Sequence, residues 1–364
     1  MSAFAIPAAV LDRAARTAAA LPVDVDVPEL LTGRAALLDL PVPDQVSAGG
    51  ATRLLRARDR WCALTLSRAD DLAAVPALLE VDAVEDPWPA IAAWARSQEA
   101  AAAVARARLL GMPAAVLGET APAPPAVSRI GAAAPPRPWR DLVVVELASM
   151  WAGPLLGRLL ARAGATVVKV ESPARPDGTR GGSTEFFDWM NAGKLCMAVG
   201  LDSAELRALL AVADVVIEGS RPAALVRRGL GPDAAPARDG RVWVRITGYG
   251  TTGECADWVA FGDDAAVAGG LVGGSTDEPV FVGDAIADPL TGLEAAHAVV
   301  ASLGRGGGEL VELSMAAVAA TNAAVPAGSV DVPCRRPRPG APASGLGADT
   351  AAVYRLIEER SAAC

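Results

Sequence analysis

Two stretches place carboxylates where a helix should begin. Gly283-Asp284-Ala285-Ile286-Ala287-Asp288-Pro289-Leu290-Thr291-Gly292 sets two acids four residues apart, and Phe261-Gly262-Asp263-Asp264 sets a pair ahead of the apolar run Ala265–Val272. Taken alone, such carboxylates most often cap backbone amides or sit solvated in a turn; service as a nucleophile or base is the rarer use. Other chemistries have thinner support. The single histidine, His297, excludes any mechanism needing two, and no G-x-S-x-G elbow accompanies it. Five cysteines (Cys62, Cys196, Cys255, Cys334 and Cys364) are scattered without a C-x-x-C, which argues against a disulfide framework or a metal site.

A nucleotide-like motif also needs weighing. Leu142–Leu147 reads as a buried strand, Trp151-Ala152-Gly153-Pro154-Leu155-Leu156-Gly157 as a turn into a helix, and Thr166–Val170 as a second strand ending at Glu171. That is close to a dinucleotide-binding unit, with Glu171 in place to meet a ribose. It departs from G-x-G-x-x-G, because Trp151 replaces the first glycine and Pro154 removes an amide donor. Glycines that serve only helix–sheet packing explain the pattern as well, and a nicotinamide enzyme stays open on these residues alone.

The elements that must carry these residues alternate. Helices are expected over 153–163, 202–211 and 222–228, and strands over 142–147, 166–170, 214–218 and 242–247. Strand–helix alternation implies right-handed crossovers and a mostly parallel, Rossmann-like sheet. Ahead of it, Trp61–Leu66 reads as a strand, with helical spacing over Ala69–Glu80 and Trp88–Leu110 and a stop at Gly111 and Pro113. The Pro- and Ala-rich stretch 119–139 reads as an extended linker. At the other end, the basic, Pro-rich stretch 333–339 precedes a short helix around 348–360.

With 364 residues, 52% of them apolar and 21% charged, the chain can bury a sizeable core and has room for two domains. A net charge of −9 without a basic stripe makes nucleic acid a poor partner, so any polyanionic ligand needs locally gathered arginines. Apolar runs such as Ala100–Val104 are too short to span a bilayer, and Met1-Ser2-Ala3-Phe4 lacks a cationic leader, so no membrane association and a cytoplasmic location are expected.

Several segments, in order, resemble the class III CoA-transferase family (the CaiB/BaiF family, which includes formyl-CoA transferase and α-methylacyl-CoA racemase). They are Val145-Glu146-Leu147 through Gly153-Pro154, Gly164–Glu171, Asp177-Gly178-Thr179-Arg180, Asn191-Ala192-Gly193-Lys194, Ala213–Glu218 with Arg221-Pro222, and Thr247–Gly253. Each is weak alone; their shared order over about residues 141–320 is specific. The resemblance implies an α/β fold and an acyl-CoA substrate, with Asp288 as the carboxylate nucleophile and Asp284 as its decoy. The family reaction passes through a mixed anhydride and an aspartyl-CoA thioester before a carboxylic acid collects the coenzyme A. Position by position, Trp151, Ala152, Phe261, Gly262, Arg221 and Arg227 correspond to coenzyme A contacts, with Arg228 and Arg180 nearby. Racemases of the family carry a histidine where Asp263 stands, so an isomerase would have to use Asp263 with Asp288. A noncatalytic CoA-ester binding protein is the third reading. The apolar surround at Ala265–Val272 permits a bulky acyl group.

One departure stands out. Family members usually place their small domain after the matched stretch, whereas here Leu346-Gly347-Ala348-Asp349-Thr350 resembles the family's closing segment and follows almost at once. Residues resembling the small domain come first: Ser47-Ala48-Gly49-Gly50 as its glycine loop, Asp59-Arg60-Trp61 as its strand, and Ala107–Val116 as its end. The expected plan is a small α+β domain over 1–118, a linker over 119–140, a large CoA-binding domain over 141–330 and a tail over 331–364. On that plan Gly49 and Gly50 form a substrate loop. Family members interlock as dimers; the reordered chain is expected to be a homodimer without that interlock necessarily surviving.

Overall fold

A computed structural model describes residues 3–219, 222–324, 328–338 and 340–362. Its first strands are β1 (Ala3–Pro7), β2 (Thr52–Arg56), β3 (Trp61–Thr65) and β4 (Ala114–Val116). There follow β5 (Ala126–Arg129), β6 (Val143–Leu147), β7 (Thr166–Glu171), β8 (Leu195–Ala198), β9 (Val215–Glu218) and β10 (Val242–Thr247). A short hairpin, β11 (Val272–Gly274) and β12 (Pro279–Phe281), precedes β13 (Glu309–Ser314) and β14 (Ser329–Pro333).

Seven strands form the main sheet in the order β5-β13-β10-β9-β6-β7-β8. All its pairings are parallel except that of the edge strand β5 with β13. The runs that build it are apolar throughout, and Val143, Val144 and Val145 are wholly buried, as strands covered on both faces require. Counted from β6, the order is that of a doubly wound Rossmann sheet, and it reverses between β6 and β9. Ligands of such sheets bind outside the carboxyl ends of the strands at that reversal. The expected α/β class is therefore the observed one, and the strands fall within a residue or so of where the pattern puts them.

The first forty residues, expected with the small domain, share the large core. β1 pairs with β14, and Phe4, Ile6, Val10, Leu30 and Leu31 pack in one cluster with Val144, Leu155 and Leu293. A separate core is confined to residues 55–116, around Leu55, Leu64, Leu78, Ile91 and Val104 behind the antiparallel sheet β2-β3-β4. The other face of that sheet, through Leu54, Trp61 and Ala63, packs on Val267, Ala268 and Ala316. The small sheet thus stands directly beside the helix Gly262–Ala268.

Local departures have local causes. The helix expected over Trp88–Leu110 is two helices, Pro87–Ser97 and Ala100–Leu109, because Gln98 is extended and Asp59, from the β2–β3 turn, accepts the Ala100 N–H at 2.8 Å. That is a cap supplied from another element. Within the expected linker, Ala126-Val127-Ser128-Arg129 contains no proline and adds to the sheet edge as β5. The closing segment returns to the large sheet, where Asp349 accepts the Cys196 N–H at 2.9 Å. Among the described residues no helix is long and apolar enough to cross a membrane.

Candidate active site

Asp288 stands in the first turn of the helix Ala287–Gly304. The chain reaches it from β12 through Gly283 (φ 66°) and Ala285 (φ 42°), a left-handed turn that glycine adopts freely and alanine does not. Ala285 is held there by its own N–H, which donates to Asp263 Oδ1 at 3.0 Å. Two further helices begin against the Asp288 carboxyl group: Ala152–Arg162, which follows β6, and Gly262–Ala268. The backbone amides of Ala152 and Gly262 both donate to that carboxyl group. Close approach demands glycine at 262, since a Cβ there would lie 2.4 Å from Asp288 Oδ2 and 2.2 Å from the Ala285 carbonyl oxygen. Gly292 does the same for the helix pair, because its Cβ would meet the Ala152 carbonyl at 2.8 Å.

A buried network sets the Ala152 amide. Met150 has φ 74°, and its N–H donates to both oxygens of Asp177. Lys169 lies between Asp177 (2.8 Å) and Glu146 (3.1 Å) and also donates to the Ala148 carbonyl at 3.0 Å. These three side chains are wholly buried, so the turn from β6 to Ala152 is held by paired charges that cannot relax into water.

Asp263 and Asp284 complete the group. Asp284 Oδ1 accepts from Arg34 Nη1 at 2.5 Å, across 250 residues of sequence. Arg34 projects from the helix Val27–Leu38, which Asp26 caps by accepting the Glu29 N–H at 3.0 Å. Its guanidinium lies 5.5 Å from the centroid of the Trp151 ring and 5.6 Å from that of Phe186. Thr52 of β2 donates to Asp263 Oδ2 at 3.4 Å, and Thr65 of β3 to Asp264 Oδ1 at 2.9 Å. The small sheet therefore touches the acidic cluster directly.

The buried carboxyl groups of Asp263 and Asp284 and the half-buried one of Asp288 share one guanidinium, and their acidities follow. Burial, with Asp284 next, pushes Asp263 up to about 6. Burial pushes Asp288 up to about 7, with the Asp263 charge adding and Arg34 and the two amides opposing. Asp284 is also raised by burial, against the pull of Arg34. A carboxylate is nucleophilic or basic only when ionised, so any step using Asp288 should quicken as pH rises through about 7. Below that point its rate should fall about tenfold per pH unit. Asp263→Asn removes a charge that raises Asp288 and should move the midpoint to lower pH; a pH–rate profile with an unmoved midpoint would contradict this coupling.

The structure brings together Asp288, Asp263, Ala152, Phe261, Gly262 and Trp151, the last only 4% exposed. Gly49 joins them, since its Cβ position lies 3.6 Å from Arg34 Nη2; Gly50 is exposed and meets nothing. Asp284, taken as the decoy, is the partner of Arg34. Arg227 is exposed just beyond the helix Pro222–Val226, and Arg221 lies outside the described residues. Arg228 pairs with Asp202 at 3.7 Å. Arg180 is committed to Glu171 at 2.6 Å and stacked over Phe187, so Glu171 is not free for a ribose as the nucleotide-like motif required. His297 lies on the helix Ala287–Gly304, about two and a half turns beyond Asp288. Arg34 was not signalled by any motif; the one clue was a lone arginine amid the apolar Val27–Leu38. A cavity of about 210 Å³ lies at the opposite end of the sheet, between Trp139, Leu142 and Leu303, and takes no part. No described cluster of His, Cys, Asp and Glu could hold a metal ion.

The sequence model of CoA-transferase family III matches residues 140–356. Succinyl-CoA–D-citramalate CoA-transferase from Chloroflexus aurantiacus is 32% identical over 200 residues, 50% of this chain and 50% of that protein. Succinate–glutarate CoA-transferase from Agrobacterium fabrum is 32% identical over 189 residues, 46% of this chain and 47% of that one. The chain spans about half the length of these curated relatives. Among solved structures, a CaiB/BaiF family protein from Brucella suis aligns with 30% identity and a TM-score of 0.46, covering 51% of this chain and 55% of that one.

Proposed function

Because the chain belongs to CoA-transferase family III, we propose that it moves coenzyme A from an acyl-CoA thioester to a carboxylic acid, with Asp288 as the covalent acceptor. The observation that carries this reading is a carboxyl group at the carboxyl end of a parallel sheet, gripped by the Ala152 and Gly262 amides. Attack by Asp288 on the thioester carbonyl gives a mixed anhydride and the thiolate of coenzyme A. The thiolate returns to the aspartyl carbonyl, which releases the first acid and leaves an aspartyl thioester. An acceptor acid then reverses the sequence and leaves with the coenzyme A. The same amides that receive the carboxylate are placed to stabilise the oxyanion that forms at its carbon.

Arg227 is the candidate for the coenzyme A phosphates, since it is exposed and arginine forks onto phosphate; Trp151 and Phe261 would flank the pantetheine. In the same proposal residues 52–116 act as the family's small domain moved to the front, with Gly49 and Gly50 closing over the thioester, and the working unit is a homodimer in the cytoplasm. The acids in the relatives' names, succinate, glutarate and citramalate, are the first to try. A second reading, isomerisation at the α-carbon, draws on Asp263 and Asp288 sharing one site with pKa values pushed up to about 6 and about 7.

Trapping separates the readings. Hydroxylamine added with succinyl-CoA and a panel of other acyl-CoA thioesters should convert Asp288 to its hydroxamate, seen by peptide mass spectrometry. Deuterium entering the α-carbon of the thioester with no hydroxamate would favour the isomerase. Tight coenzyme A binding with neither outcome would leave a binding protein.

A further inference from the structure

Arg34 lies far outside residues 140–356, which match the family, yet it is the cation that faces the carboxyl cluster. Its side chain keeps 25% exposure while its partner Asp284 has none. Nη1 is spent on Asp284, which fixes the guanidinium plane; Nη2 has no hydrogen-bond partner among the described residues and faces the Gly49 loop. Beside it, the buried Trp151 Nε1–H and Asp284 Oδ2 are also without partners. Buried polar atoms are rarely left so, and two of them beside a partly exposed guanidinium point to a polar ligand there.

Transfer to an acid brings a second carboxylate beside a site already rich in negative charge. Without a cation the approach is repelled, and arginine is the side chain whose fork suits a carboxylate. We propose that Arg34 anchors the carboxylate of the acceptor acid through Nη2, under the Gly49 loop, while Nη1 stays on Asp284. This rests on the reading of Asp288 as acyl acceptor. The acceptor oxygen attacks the carbonyl carbon of the aspartyl thioester. The C–S bond breaks, its electron pair leaves with sulfur, and the products are the mixed anhydride and the thiolate. The thiolate then attacks the acceptor's carbonyl carbon, and the C–O bond to Asp288 breaks to restore the carboxylate. No proton is consumed.

The specificity determinant for the acid thus sits in the N-terminal segment, not in the stretch shared with relatives. Calorimetric titration of the full chain with succinate and with butyrate tests it, alongside a titration with coenzyme A. In Arg34→Gln the Kd for the acid should rise about tenfold or more relative to that for coenzyme A, and Arg34→Lys should fall between. Near-UV circular dichroism establishes that both variants fold. Equal weakening for acid and coenzyme A, no weakening for the acid, or no saturable acid binding by the unaltered chain would overturn the assignment. Acid binding that depends on Arg34 without any hydroxamate on Asp288 would keep Arg34 as a carboxylate anchor but remove the covalent reading and its transfer step; a hydroxamate with acid binding indifferent to Arg34 would remove the Arg34 assignment alone.

Discussion

Asp288→Asn should abolish hydroxamate formation and lower CoA exchange by at least about a thousandfold, the scale on which loss of a nucleophile acts. The substitution keeps the shape and one acceptor oxygen for the amides but removes the second oxygen and the charge that attack requires. Folding should be unharmed, because burial already pushes this carboxyl up to about 7 and a neutral amide suits the place at least as well. The decisive comparison is Asp284→Asn. Asp284 also precedes the helix but is bonded to Arg34, so its loss should disturb the site without removing the adduct. If the adduct survives in the Asp288 variant and vanishes in the Asp284 variant, the two residues have been assigned the wrong way round.

Gly262→Val should cost nearly as much for a different reason. Its Cβ would fall 2.2 Å from the Ala285 carbonyl oxygen and 2.4 Å from Asp288 Oδ2, well inside contact distance. Backbone lies on one side and the Asp288 carboxyl group on the other, so relief requires pushing the 283–288 turn away from the helix Gly262–Ala268. A displacement of about 1 Å at a reacting group can cost about a hundredfold in rate, and forced overpacking costs about 1–3 kcal/mol in stability. Steady-state kinetics and urea denaturation should show both losses together. Gly304→Ala, at the far end of the helix that carries Asp288, meets nothing within 4 Å and should change neither. A Gly262 variant with normal exchange would mean that the amide at 262 does not touch the reacting carboxyl group.

Much of this arrangement is legible in one dimension. Unbroken apolar runs such as Val143–Val145 announce doubly covered strands, and the glycine-containing turns between strands and helices announce the crossovers. Those runs set the order of β6 to β10 along the chain, and with it the site at the end of β6. The Gly283–Gly292 segment places Asp288 at a helix start by local signals alone. The nucleotide-like motif could not be resolved in the same way, because whether Glu171 is free depends on Arg180 folding back onto it.

What the chain determined by itself is whatever neighbours in sequence impose on one another: strand runs, helix starts, glycine turns and the position of Asp288. Tertiary structure alone decided which acid would be neutralised, because Arg34 and Asp284 meet across 250 residues. It likewise decided that Asp59 would split one expected helix by capping Ala100 from another element, and that the first forty residues would join the large core. Propensity and periodicity act over a few residues and leave a trace in spacing; charge pairing and burial act through space between segments whose separation in sequence carries no signal.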